Sequence, residues 1–122
     1  MESDNVLAIT TEYRKGILFV RLEGSLIFTT ISLFEQEVNK WLAEGIYNVV
    51  FNLSRVDKID TEGIRSLLSY YKIINKKDGH SLICGTNNHI NTNLKKSKIL
   101  NYIYEISDEL NAIKVMKWNS ES

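Results

Sequence analysis

The stretch Val49-Val50-Phe51-Asn52-Leu53-Ser54-Arg55-Val56-Asp57-Lys58-Ile59-Asp60-Thr61-Glu62-Gly63-Ile64 decides how this 122-residue chain is read. It opens on an apolar run rich in the β-branched and aromatic residues that favour strands, so residues 48–53 are expected as a strand. It closes on a helix start. Asp60 and Thr61 both suit an N-cap, because their side-chain oxygens accept from the free N–H groups of a first helical turn. From there Ile64, Leu67, Leu68, Tyr71 and Ile74 fall at i, i+3, i+4, i+7 and i+10 and share one face. Lys76 and Lys77 suit the negative end of the helix dipole, and Gly79 stops the helix. Residues 54–60 are expected as the loop between the two elements. In an open parallel sheet, the carboxyl ends of the strands are where sites are built.

Working outward, residues 6–12 and 17–23 read as two strands joined at Arg14-Lys15-Gly16, hence a hairpin. The second is nearly all apolar, as a strand covered on both faces would be, and Gly24 is expected to end it. Thr29 or Thr30 then caps a helix whose stripe is Ile31, Phe34, Val38, Trp41 and Leu42, with Gly45 as its stop. Downstream, Ser81-Leu82-Ile83-Cys84 reads as a strand and residues 90–100 hold a weaker helix. Residues 102–106 read as a short strand, and Ser107 caps a last helix with Asp108 and Glu109 in its first turn. The order β-β-α-β-α-β-α-β-α predicts a single α/β domain, a small mostly parallel sheet with an N-terminal hairpin and about four helices. Its limits are expected at residues 6–115, with 1–5 and 116–122 as loose termini. Trp118, past the last element, is expected to be exposed.

Composition excludes several classes of function. Fifteen basic residues against fifteen acidic ones argue against a nucleic-acid coat. One cysteine, Cys84, rules out an internal disulfide and a multi-Cys zinc site. No apolar run approaches the ~20 residues of a membrane span. The acidic, polar N-terminus lacks a signal-peptide core, so a soluble cytoplasmic protein is expected. Gly-rich phosphate loops, His-Glu metal motifs and nucleophile elbows are missing from the sequence. His80 and His89 fall in expected loops, and Cys84 reads as a buried structural thiol. Lys95, Lys96 and Lys98 form a small basic cluster, read as a solvated face or as a docking patch for an acidic partner. No cofactor is expected, and no enzyme.

Gly63 is the residue that helix formation does not ask for. It costs up to about 1 kcal/mol against alanine in a helix. It makes sense if another surface must approach the backbone closely. With a hydroxyl at the helix start and little apolar bulk expected before it, Thr61 reads as an accessible modification site.

The quoted run resembles the central motif of STAS domains, of the anti-sigma-factor antagonist type. In that family an apolar strand leads into Leu-Ser-x-Val and then Asp-Ser/Thr-x-Gly-hydrophobic, here Leu53 to Val56 and Asp60 to Ile64. Leu22-Glu23-Gly24-Ser25-Leu26 is similar to the family's stretch at the end of its second strand. The resemblance implies a partner-switching regulator that binds an anti-sigma factor with serine/threonine kinase activity. The kinase would phosphorylate Thr61 and a phosphatase would reverse it. The helix tip, Asp60, Thr61, Glu62, Gly63 and Arg65, is the implied partner contact. The alternative is a non-phosphorylated STAS subunit of another complex, such as a lipid-transport or signalling assembly. Three positions depart from the family pattern: threonine is the acceptor, Glu62 replaces a common second hydroxyl, and Ile27 stands where an acid is common.

The switch has a simple electrostatic form. A phosphate adds about −1.5 to −2 charges. The helix N-terminus favours it by about 0.3–1 kcal/mol at an exposed site. Asp60 and Glu62 each oppose it by about 0.7 kcal/mol per unit charge at roughly 6 Å in water. The fold should therefore survive modification while an interface covering the dianion should not.

Overall fold

The computed structural model describes residues 6–121, with side chains through residue 117. Strand β1 (Leu7–Arg14) turns back into β2 (Ile17–Leu26) through Lys15-Gly16. Both turn residues have positive φ, 58° and 80°, as the tight hairpin turn matched to strand twist requires. There follow α1 (Ile31–Ala43), β3 (Asn48–Ile59), α2 (Thr61–Lys76), β4 (His80–Cys84), α3 (Asn88–Ser97), a 3-10 turn (Ile99–Asn101), β5 (Tyr104–Ile106) and α4 (Glu109–Glu121). The sheet runs β1-β2-β3-β4-β5, antiparallel at its first pair and parallel throughout the rest. This is the expected α/β architecture.

Alternation along the strands splits the core in two. Leu18, Val20, Val49, Phe51 and Ile83 face a large cluster closed by Phe34 and Val38 of α1, Leu67, Tyr70 and Ile74 of α2, and Ile90 and Leu94 of α3. Ile17, Phe19, Val50, Leu82 and Cys84 face a smaller one closed by Ala112 and Met116 of α4. Three helices therefore cover one face and α4 the other, which is why β2 had to be apolar on both sides. Glu109 fastens α4. Its carboxylate takes two hydrogen bonds from Arg21, at 2.8 and 2.7 Å, and one from Asn52 at 2.7 Å.

Several expectations need correction. Gly24 does not end β2. It lies at a register shift with φ of 110°, and the strand continues to Leu26. The expected loop at 54–60 is mostly strand: β3 runs to Ile59, with Val56 and Ile59 buried. On α2 the buried residues are Gly63, Ser66, Leu67, Tyr70 and Ile74, so the stripe is turned toward Tyr70, and Ile64, Leu68 and Tyr71 flank it. The cause is a polar seam with α1. The Tyr70 hydroxyl donates to Asn39 Oδ1 at 2.7 Å, and Ser66 Oγ donates to Glu35 Oε2 at 3.0 Å. Satisfied hydroxyls can be buried where a count of apolar letters excludes them.

The cap of α4 is Asp108, which accepts from the Asn111 N–H at 2.9 Å, rather than Ser107. The loose C-terminal segment expected at 116–122 begins within α4, which runs to Glu121, and Met116 is buried. The weak helix at 90–100 is α3 plus the 3-10 turn, started by Asn87, whose Oδ1 accepts from the Ile90 N–H at 2.8 Å. His80 opens β4 and His89 sits in α3, both exposed, rather than in loops. The expectations for residues 1–5 and for the Trp118 side chain lie outside the described residues.

Candidate interaction site

Beyond the main sheet, the ends of β2 and β3 continue together as a ribbon. Glu23 pairs with Arg55, Gly24 with Val56, Ser25 with Lys58 and Leu26 with Ile59. The ribbon carries the start of α2 outward to one pole of the molecule. Asp60 is the N-cap, in extended conformation. Its Oδ1 accepts from the Gly63 N–H at 2.9 Å, and its Oδ2 accepts from the Phe28 N–H at 3.0 Å. One carboxylate thus ties the helix tip to the β2–α1 loop. Thr30 braces that loop from within, donating from Oγ1 to the Ser25 carbonyl at 2.8 Å and accepting from the Ile27 N–H at 3.0 Å. Thr30 holds the expected cap position of α1, but its hydroxyl serves the loop rather than the helix.

Gly63 is buried. A Cβ there would lie 2.2 Å from the Leu26 carbonyl oxygen. The surface that approaches its backbone is the chain's own β2, and Gly63 lets the helix seat on the strand end. It is a spacer beneath the tip, not part of the tip's outer surface.

Thr61, Glu62 and Arg65 are exposed. Arg65 donates to Glu62 across one turn of the helix, so the Glu62 charge is partly balanced. The Asp60 carboxylate is spent on two backbone N–H groups. Both corrections weaken the repulsion that Asp60 and Glu62 were expected to exert on a charge at Thr61. An open groove of about 370 Å³ begins at Thr61 and passes Asp60 and Ile64 to Asn93, Lys96 and Ser97 of α3. It joins one member of the basic cluster to the helix tip.

Phe28 went unnoticed in the sequence. It is 70% exposed, and its N–H is held by Asp60 beside the tip. The available signal was a large apolar residue in the short connection between β2 and α1. Nearby Ile27, a departure from the family pattern, is buried and makes no outer surface.

The other candidates stand apart. Cys84 is fully buried, and its thiol is pushed up to about 12 by burial and then by the negative charge of Glu109 and Asp108. It is a structural thiol, as expected. Among the described residues no group of three or more His, Cys, Asp and Glu is placed to hold a metal. Among the same residues no helix is long and apolar enough to cross a membrane.

Residues 8–113 match the STAS domain family. The anti-sigma F factor antagonist of Paenibacillus polymyxa is 27% identical over 108 residues, covering 88% of this chain and 92% of that protein. Among solved structures, an anti-sigma factor antagonist from Mycobacterium paratuberculosis superposes with a TM-score of 0.87 at 15% identity, over 96% of this chain and 99% of that one. The Bacillus cell fate determinant SpoIIAA in its phosphorylated form gives 0.69 at 14% identity, over 88% and 99%. The sheet order, the motif at the end of β3 and the match along nearly the whole chain agree: this protein belongs to the STAS domain family.

Proposed function

We propose that this protein is an anti-sigma factor antagonist, a cytoplasmic, non-enzymatic regulator whose α2 tip docks on an anti-sigma factor with serine/threonine kinase activity. Phosphorylation of Thr61 by that partner closes the docking surface, and a protein phosphatase reopens it. The observation that carries the reading is the contrast at the tip. Thr61 is exposed, while Asp60 and Gly63 on either side are fixed to the fold by hydrogen bonds and close packing. The relative from Paenibacillus polymyxa, an anti-sigma F factor antagonist, supports it.

In this reading Thr61, Glu62, Arg65 and Phe28 meet the partner, with Phe28 as the apolar anchor that such interfaces favour. Asp60 and Gly63 position them. A phosphate on Thr61 lies at a helix N-terminus, which tolerates it, so the fold persists. Covering that dianion at an interface strips its hydration. A cost of about 4 kcal/mol there is a thousandfold loss of affinity.

The test is binding of Thr61→Ala and Thr61→Glu to the partner recovered with the wild-type protein from its own cells. Thr61→Ala should bind as wild type and take up no phosphate by mass spectrometry. Thr61→Glu should bind far more weakly. Recovery of a membrane ATPase complex in place of a kinase-type anti-sigma factor would overturn the reading. So would equal affinity for the two variants.

A further inference from the structure

At the opposite pole, β5 begins only at Tyr104, opposite Leu82, while β4 begins at His80. The first residues of β4 therefore have no strand neighbour on that side among the described residues. A cleft of about 190 Å³ fills this notch. Its lining includes Tyr71, Tyr102, Tyr104, Leu82, Asn75 and His80. Tyr102 and Tyr104 are 57% and 77% exposed, large aromatic surfaces for a chain to leave uncovered. Ser81 also lines the cleft. Its Oγ is sealed from solvent and, among the described residues, has no hydrogen-bond partner. Buried hydroxyls are nearly always paired, so an unpaired one in a cleft floor points to a group that arrives from outside.

We propose that this cleft binds a small, neutral, planar aromatic molecule bearing one hydroxyl or ring N–H, which stacks against the tyrosines and hydrogen-bonds to Ser81. Apart from the exposed His80 imidazole, the lining carries no ionisable group but the tyrosine phenols, with no carboxylate, ammonium or guanidinium, so a neutral ligand is favoured. Offset and edge-on ring contacts suit the geometry already present, where Tyr71 and Tyr102 lie 6.2 Å apart at 53°. Because the Ser81 Oγ is sealed from solvent, the ligand must displace a lining side chain to reach it, and Tyr102, 57% exposed, is the one that must turn aside. From Thr61 at the start of α2 to Asn75 near its end is about 21 Å along the helix axis. The proposal is therefore independent of docking at Thr61.

The experiment is a titration of the full chain with 4-methylphenol, and with toluene as the same ring without the hydroxyl, followed by amide chemical shifts. Saturable shifts are expected at Gly79, Ser81 and Tyr104, with a dissociation constant of about 1 mM for the phenol and about tenfold weaker binding for toluene. Ser81→Ala removes an unpaired buried group, so its urea midpoint should equal or exceed that of the wild type. In that variant the tenfold preference for the phenol should vanish. Tyr104→Ala, at an exposed position, should weaken both probes. Shifts that never saturate, or that centre elsewhere, overturn the proposal. So does a phenol preference that survives Ser81→Ala.

Discussion

Replacing Gly63 by alanine sets two local rules against each other. Helix propensity alone favours alanine by about 1 kcal/mol. Packing opposes it, because the new Cβ would stand 2.2 Å from the Leu26 carbonyl oxygen and 3.0 Å from Ile59 Cγ1. The helix start would have to withdraw by close to 1 Å before the first contact reached even 3.0 Å. A backbone carbonyl in a paired strand cannot swing aside as a side-chain end can. Withdrawal also strains the Asp60 bonds to the Gly63 and Phe28 N–H groups, at 2.9 and 3.0 Å. Overpacking costs about 1–3 kcal/mol, and a clash this close with an unyielding backbone carbonyl belongs in the upper half of that range, about 2–3 kcal/mol. After the propensity gain, Gly63→Ala should lose about 1–2 kcal/mol. For a domain of this length that lowers Tm by about 4–8 °C. Urea unfolding and thermal melts followed by far-ultraviolet circular dichroism would measure it. Ser69→Ala, at an exposed position of the same helix, is the control and should gain a few tenths of a kcal/mol, of order ~0.5 or less. A Gly63→Ala protein as stable as wild type, or more so, would refute the close-approach argument.

Three further outcomes follow from the same geometry. Asp60→Ala should cost about 1–2 kcal/mol and speed amide exchange at both Gly63 and Phe28, whereas Asp60→Asn should keep the Gly63 cap and release only Phe28. The Glu109 carboxyl is held below its ordinary range by the Arg21 hydrogen bonds, against the opposing effect of burial and with help from Asn52. A depressed folded-state pKa adds stability that is fully present above the unfolded value, about 4.3, and is lost as pH falls through the lower folded value. Urea midpoints of wild type and Glu109→Gln should therefore converge on acidification below about pH 4.3, and parallel curves would contradict the clasp. Finally, the Cys84 thiol, pushed up to about 12 by burial, should react with a thiolate-seeking reagent at mild alkaline pH only as fast as the protein unfolds. In urea it should react at least about a thousandfold faster.

Much of the site was legible in the sequence, and its limits are instructive. Asp60, Thr61 and Gly63 stood out because capping and helix propensity are local rules with local signatures. Their division of labour was not local. Gly63 read as room for another molecule, and the molecule in question is the chain's own Leu26. Phe28 carries no motif, and Lys96 read only as one of a basic cluster; the fold brings Phe28 to Asp60 and Lys96 to the groove at Thr61. The tyrosine cleft gave no signal at all, since it depends on where β5 starts relative to β4.

By itself the sequence determined the order and kind of the elements, the parallel sheet with its opening hairpin, and a hydroxyl at the start of α2. Periodicity, turn residues and caps act over a few residues, so they survive as patterns in the chain. Only the tertiary structure decided which of those residues meet. Asp60 holds Phe28 across 32 positions, and Arg21 holds Glu109 across 88. Such contacts are set by strand register and helix packing, which no short window of sequence contains.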